Sequence, residues 1–356
     1  MSPDRLLRLL VGASLASAAL GSGCASLPAD RAGSPPQVVA TFCPGSCPEK
    51  VARLLEGAER TIDLTVYGIR NDIVAEALIR AVQRDVDVTV IYDRSMYRAN
   101  QRAKNSKIDP LREAGVRVLP FRGRDAFHHK TIILDADRVW TGSLNLKWMG
   151  RLHDNYLLIS DPFIVARYRE WFGLLEQNPT REALRSSNQR LSQYNAGEPL
   201  QAHFGPSASF SEPLTRLMDE AESSLELAVN VLSYPPVVAS LVAARQRGVR
   251  VRVLFGVFSE KTLKSYDQQE WAMRTLAAQG VEVWTIGLHH QKMMVVDGTT
   301  VLTGSPGFDT NPLTRNHDNY VIVESRELAS QFEDRMAEMW AEAQRYSAGG
   351  AKAVEP

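Results

Sequence analysis

The alternation of apolar and polar positions divides most of the chain into short elements. Residues 61–67 alternate as a half-buried strand does, residues 72–84 carry apolar side chains at helical spacing behind Asp72 as N-cap, and residues 87–93 form a β-branched run. A strand, a helix and a second strand in that order make a βαβ unit with parallel strands. Further strands are predicted at 116–121, 131–134 and 156–159, and an amphipathic helix at 162–176 closes the set. The pattern then recurs, with strands at 225–231, 249–255, 281–285, 293–296 and 320–323 and helices at 236–247 and 327–344. Residues 58–90 and 221–253 align without a gap at a constant offset of 163, pairing Ala58-Glu59 with Ala221-Glu222 and Gln83-Arg84 with Gln246-Arg247. An internal duplication follows, and with it two α/β layers. The stretch 178–199, rich in Asn, Ser, Gln and Arg, reads as the connector, with one helical turn around 181–185. The repeats then occupy 37–177 and 200–346, and the tail 347–356 is expected to be disordered.

Ahead of the repeats, Arg5 and Arg8 precede the apolar run 9–20, which ends in Gly21-Ser22-Gly23-Cys24. The run is too short for a bilayer, which needs about 20 residues, but suits the h-region of a secretory signal. Export is therefore expected, with 1–23 as signal and 24–36 as tether. The Leu-Gly-Ser-Gly-Cys ending resembles the lipobox of bacterial lipoproteins, although Gly21 stands where that pattern usually has Leu. The resemblance implies acylation of Cys24 and a periplasmic or cell-surface protein anchored to a membrane; simple cleavage near the same small residues is the alternative. In an oxidising compartment Cys43 and Cys47 are expected to form a disulfide, two free thiols being the alternative.

Composition narrows the class. A chain of 356 residues suits two domains, each with a core of its own. Its 41 Lys and Arg balance 41 Asp and Glu, and loss of Arg5, Arg8 and Asp4 with the leader leaves 39 against 40. Dedicated nucleic-acid binders usually carry a net basic surface, so neutrality argues against one without excluding a local basic groove. Three cysteines exclude a disulfide-rich scaffold and argue against structural zinc.

The chemistry lies in a constellation that occurs twice. The first copy has His128-His129-Lys130, then Asp135, then Gly142-Ser143-Leu144-Asn145; the second has His290-Gln291-Lys292, Asp297 and Gly304-Ser305. Residues two apart on a strand face the same side, so His128 projects with Lys130 and His290 with Lys292. A nucleophile or acid then sits beside a fixed positive charge. In both copies the step from Lys to Asp is five residues and from Asp to Gly-Ser seven, which chance does not readily supply. Each half also carries His-Asp-Asn-Tyr further on, placing Asp154 26 residues after His128 and Asp318 28 after His290.

These motifs resemble those of the phospholipase D superfamily, whose mark is His-x-Lys, four residues, Asp, six residues, Gly-Ser-x-Asn. The resemblance extends from about residue 37 to 346. It implies an α/β fold of two tandem phospholipase D-like α/β/α sandwich domains, related by a pseudo-twofold axis and sharing one active site, so that a monomer suffices. It also implies phosphodiester cleavage without metal or other cofactor, one histidine attacking phosphorus and the other protonating the leaving alcohol. Lys130 and Lys292 would compensate charge on the phosphoryl oxygens, with hydrogen bonds from Ser143, Asn145 and Ser305. An acidic residue that holds the histidine's second nitrogen is assigned as Asp154 and Asp318, leaving Asp135 and Asp297 structural. Gly307 replaces the motif Asn of copy two, which makes His128 the expected nucleophile and His290 the acid. His129 is expected to point to the opposite strand face, packed or at the surface. His153 and His317 are expected to support the adjacent Asp, and Trp140, Trp148, Trp171 and Trp340 to pack in the core.

Substrate is less legible. Export, tethering and neutrality favour a phospholipid substrate at a membrane surface. Against this, residues 94–107 hold five basic and no acidic side chains, and Arg122 and Arg124 precede the first motif. At the C-terminal end of a strand such a stretch either grips a lipid phosphate or a nucleic-acid backbone, or is a solvated loop. An exported endonuclease acting on DNA or RNA is therefore the second reading, and a catalytically impaired lipid-binding protein, resting on Gly307 alone, the third.

Overall fold

The computed structural model describes residues 37–147, 149–193, 195, 197–257, 266–287 and 289–346. The signal, Cys24, the tether, Trp148 and the tail lie outside the described residues. The first repeat begins with β1 (Gln37–Cys43), α1 (Cys47–Glu56), β2 (Thr61–Val66), α2 (Asp72–Gln83), β3 (Asp87–Tyr92), α3 (Arg94–Gln101) and α4 (Ile108–Glu113). It continues with β4 (Arg117–Pro120), β5 (Thr131–Leu134), β6 (Arg138–Gly142), β7 (Asp154–Ser160), α5 (Pro162–Glu176) and α6 (Arg181–Gln193). The second repeat opens with β8 (Leu200–Phe204), α7 (Glu212–Glu220), β9 (Ser224–Val229), α8 (Pro235–Gln246), β10 (Arg250–Gly256) and α9 (Tyr266–Ala278). It ends with β11 (Glu282–Ile286), β12 (Lys292–Val296), β13 (Thr300–Gly304), α10 (Thr310–Thr314), β14 (Asn319–Glu324), α11 (Arg326–Glu342) and β15 (Gln344–Arg345).

Among the described residues the strands form two mixed sheets, ordered β1-β7-β6-β5-β2-β3-β4 and β15-β11-β10-β9-β12-β13-β14-β8. In each, a parallel βαβ unit adjoins an antiparallel hairpin: β2 pairs in parallel with β3 and antiparallel with β5, and β9 does the same with β10 and β12. The outer face of the first sheet is covered by α1 and α2 through Val51, Leu55, Val74 and Leu78, and that of the second by α7 and α8 through Leu214, Met218, Val237 and Leu241. A third core is common to both repeats. Ile133 and Val139 from one sheet and Met293 and Val301 from the other meet in it around α5 and α11, where Trp171 stacks on Phe204 at 5.0 Å. Each of those fully buried side chains contributes roughly 1.5–3 kcal/mol, so this core fixes the two repeats as one body.

Three expectations need correction. The N-cap of α2 is Asn71, whose side chain accepts from the Val74 amide, and Asp72 is the first helical residue. The connector is mostly helix: α6 runs for 13 residues because Leu184, Asn188 and Leu191, spaced four and three apart, all face inward. Residues 94–101 of the basic stretch form α3, capped by Asp93, rather than a loop.

Candidate active site

The two motif copies meet at the carboxyl-terminal edges of the sheets. The backbone at the seam is paired crosswise: the His128 amide donates to the His317 carbonyl at 2.8 Å, and the His290 amide donates to the His153 carbonyl at 2.9 Å. Each motif histidine is therefore held by the chain of the opposite repeat. The side chains repeat that crossing. His128 Nδ1 lies 2.9 Å from Asp318 Oδ1, and His290 Nδ1 lies 2.8 Å from Asp154 Oδ1. With Nδ1 donating to a carboxylate, Nε2 is the free nitrogen, which is the tautomer nucleophilic attack requires.

The glycine of each motif makes this approach possible. A Cβ on Gly142 would collide with the Asn155 carbonyl, and one on Gly304 with the Asn319 carbonyl. Without them the neighbouring strands close up, and Ser143 and Ser305 reach the aspartates. The Ser143 hydroxyl donates to Asp154 Oδ1 at 2.7 Å and the Ser305 hydroxyl to Asp318 Oδ1 at 2.5 Å. This corrects the expectation that the serines address phosphoryl oxygens: their protons are committed to fixing the carboxylates. Lys130 and Lys292 curl onto the motif face, each Nζ donating to the carbonyl of its own histidine at 2.6 Å. Asn145 Nδ2 lies 3.4 Å from His290 Nε2, so the amide of copy one faces the histidine of copy two.

Two buried lysines and two buried aspartates thus surround the histidines, a balance of charge that burial tilts. Burial, aided by Lys130, holds His128 below the usual imidazole range against the pull of Asp318. Burial, with Lys292 and Lys130, takes His290 well below that range. Burial alone would raise Asp318, but the His128 ring, its hydrogen bond, Lys130 and Ser305 outweigh it and hold the carboxyl at about 2. Burial wins at Asp154, pushing it up to about 8 against Lys292, Ser143 and Lys130. The otherwise equivalent pairs therefore differ: burial raises the carboxyl of the Asp154–His290 pair, whereas its partners keep that of the Asp318–His128 pair low. Burial also brings Lys130 down to about 8.

A family model, described as cardiolipin synthase, PLD-like domain, matches twice, over residues 51–175 and 214–340. The chain belongs to the phospholipase D superfamily. Among relatives of the superfamily, a phospholipase D of Rickettsia felis is 28% identical over 195 residues, covering 52% of this chain and 94% of the relative. A mitochondrial cardiolipin hydrolase of Xenopus laevis is 38% identical over 120 residues, covering 33% of this chain and 55% of the relative. The fold matches that of the phosphatidylserine synthase of Haemophilus influenzae, with a TM-score of 0.65 at 14% identity over 86% of this chain and 87% of the other.

Against that superfamily pattern, the residues read from the sequence separate into two groups. His128, Lys130, Ser143, Asn145, Asp154, His290, Lys292, Ser305 and Asp318 converge on one site. Asp135 and Asp297 sit at the far ends of the hairpins, both in the left-handed region at φ 52°. There Asp135 accepts from the amides of Glu59, Arg60 and Thr61, and Asp297 from those of Glu222, Ser223 and Ser224, tying each hairpin to the strand before it. Arg122 and Arg124 are exposed on the approach to His128. Cys43 and Cys47 are joined by a disulfide.

His129 is buried, its Nδ1 3.0 Å from Asn319 Oδ1 and its ring 4.4 Å from Trp171. His153 and His317 do not support the adjacent aspartates through their side chains, as expected from sequence. His153 Nδ1 meets Arg335, which also donates to the Cys43 carbonyl, while the His317 ring packs on Phe121 at 4.6 Å. Both act through their carbonyls instead. Trp140 and Trp171 are fully buried; Trp340 is half-buried beneath Arg252, which lies 4.8 Å over its ring.

Sequence reasoning missed Asn155 and Asn319. Asn319 donates to the hydroxyls of Thr141 and Tyr168 and is paired with His129, all across the seam. Asn155 donates to Gln291 and accepts from the Thr303 hydroxyl. The signal was present, since Asn follows Asp in His-Asp-Asn-Tyr of both repeats. The ring of Tyr67, 5.3 Å edge-on to His128, carried no such repeat.

Proposed function

We propose that this phosphoric diester hydrolase cleaves phospholipid head groups without a metal, through a phosphohistidine on His128. The observation that carries the reading is the pair of crossed histidine–aspartate contacts in one lysine-flanked site. Nε2 of His128 attacks phosphorus and the P–N bond forms as the alcohol's P–O bond breaks. The leaving oxygen takes the proton held by the Asp154–His290 pair. His290, now a base, removes a proton from water, whose oxygen attacks phosphorus and breaks the P–N bond, returning His128 and releasing the phosphate monoester. Asp318 opposes the positive charge on the His128 ring in the intermediate, and Lys130 and Lys292 oppose the charge on the phosphoryl oxygens.

Acylation at Cys24 would hold such an enzyme at its substrate's surface, and labelling with radioactive palmitate, lost on Cys24→Ala, tests that. Among the described residues no helix is long and apolar enough to cross a membrane. The arginines beside His128 favour an endonuclease as the second reading. One paired assay separates the two: head-group release from phosphatidylethanolamine, phosphatidylglycerol and cardiolipin vesicles in EDTA, beside cleavage of single-stranded and duplex DNA. Lipid turnover that survives EDTA and is lost in His128→Ala supports the proposal; DNA cleavage alone, falling steeply with salt, refutes it.

A further inference from the structure

A single guanidinium joins the disulfide loop to the seam that holds His290. Nη2 of Arg335, on α11, donates to the Cys43 carbonyl and to His153 Nδ1, each at 2.7 Å, while Nη1 meets Glu338. A guanidinium cannot accept, so His153 is neutral and carries its proton on Nε2, which faces Glu342 at 3.5 Å. The carbonyl of the same His153 receives the His290 amide at 2.9 Å, and the next residue, Asp154, holds His290 Nδ1. Arg335 thus grips the chain at the point from which both contacts to His290 spring. On its other side, Cys43 ends β1 and pairs in register with Asp154, and its disulfide to Cys47 closes onto the start of α1. The loop so closed lies against the chain that leads to His153, since a Cβ on Gly150 would stand 3.4 Å from the Gly45 carbonyl.

The other repeat is built differently at the same place. Asp161 caps α5 and Ser325 caps α11, and ten residues on from each stand Trp171 and Arg335. Trp171 stacks on Phe204, and the ring of His317, whose carbonyl receives the His128 amide, packs on Phe121. His128 is therefore backed by apolar packing, and His290 by a charged group that reaches the disulfide. Hydrogen bonds are directional, so two of them from one nitrogen fix the Cys43 carbonyl and the His153 ring relative to each other. We propose that Arg335 is a positioning residue for His290, and that through it the Cys43–Cys47 disulfide governs how well His290 is placed. Once a dithiol reductant has converted the disulfide to two thiols, Cys43 is no longer fixed to α1, and the contact it gives Arg335 loosens. The inference rests on His290 being the acid, and then the base, of the proposed reaction.

The test sets two diesters side by side, with the full chain. Dihexanoylphosphatidylethanolamine loses an alkyl alcohol that needs a proton, whereas bis(p-nitrophenyl) phosphate loses a phenolate that does not. Misplacing a catalytic group by about 1 Å costs about a hundredfold, so Arg335→Met should lower kcat on the lipid by about that factor, leave KM little changed, and spare the p-nitrophenol burst to within about twofold. Arg335→Lys, which keeps a charged donor, should recover most of the loss. Dithiothreitol should slow lipid turnover of the native protein in the same way and have no further effect on Arg335→Met, with thiol titration confirming reduction in both. Equal losses of burst and turnover, no recovery with lysine, or equal effects of dithiothreitol on the two proteins overturn the inference. Asp154→Asn runs alongside: if it slows turnover and Arg335→Met does not, the inference alone falls; if both spare turnover, the assignment of His290 falls with it. If DNA alone is cleaved, the phospholipid reading falls, and an oligonucleotide, whose leaving alcohol is also an alkyl one, takes the lipid's place in the same comparison.

Discussion

Replacing Asp318 with Asn tests the crossed geometry most directly. The substitution keeps an oxygen that can accept from His128 Nδ1, 2.9 Å away, and keeps the Ser305 contact, but removes the charge. When His128 attacks phosphorus its ring becomes cationic. A carboxylate about 4 Å from the centre of that charge, at an effective dielectric of about 20, is worth about 4 kcal/mol. At 1.36 kcal/mol per decade the first chemical step should slow about a thousandfold. The step is isolated by rapid mixing with bis(p-nitrophenyl) phosphate, whose leaving group needs no acid. Asp318→Asn should cut the burst rate by that factor. Asp154→Asn, acting on His290, should spare most of the burst and slow the turnover that follows, because His290 must still activate water. The reverse pattern, with Asp154→Asn abolishing the burst and Asp318→Asn sparing it, would falsify the assignment of His128 and make His290, the partner of Asp154, the nucleophile.

The remaining expectations concern protonation, space and burial. The pH–rate profile should rise as His128 loses its proton, with a midpoint below the ordinary imidazole value, and fall near pH 8 as the Asp154–His290 pair and Lys130 lose theirs; a rate still rising at pH 9 contradicts this. Gly307→Asn should fold, since a Cβ there meets nothing nearer than Asp309 Oδ2 at 3.6 Å, and should lower KM by up to about fivefold through one added hydrogen bond; a large drop in Tm would show that the space is not there. Asn319→Ala strands the Thr141 and Tyr168 hydroxyls and His129 Nδ1 in a buried seam, and urea denaturation should register a loss of at least about 3 kcal/mol, with less than about 1 kcal/mol refuting the account.

The repeated parts of the fold were legible because repetition doubles every signal. The offset of 163 exposed both βαβ units, and the equal spacing from Lys to Asp to Gly-Ser picked out residues that do converge. What escaped was anything decided between the repeats. Spacing places Asp154 after His128 along the chain, yet it serves His290, because docking brings the end of each repeat against the start of the other's motif. The serine hydroxyls looked available for phosphate for the same reason: only the close approach at Gly142 and Gly304 commits them to carboxylates. Helix α6 escaped because it is polar on most of its circumference, and its apolar stripe is just two leucines wide.

The crossing also bears on how the halves can change. Were the site built from two identical chains, every substitution in the motif would appear on both sides of the axis at once, and a loss at the Asn145 position would remove both amides. In a tandem chain the two sides mutate separately. Gly307 is a change of that kind, present on one side while Asn145 persists on the other. Covalent duplication thus releases the two histidines from having to be equivalent. It also binds the repeats to a common fate, because neither retains an oriented histidine once its neighbour is lost.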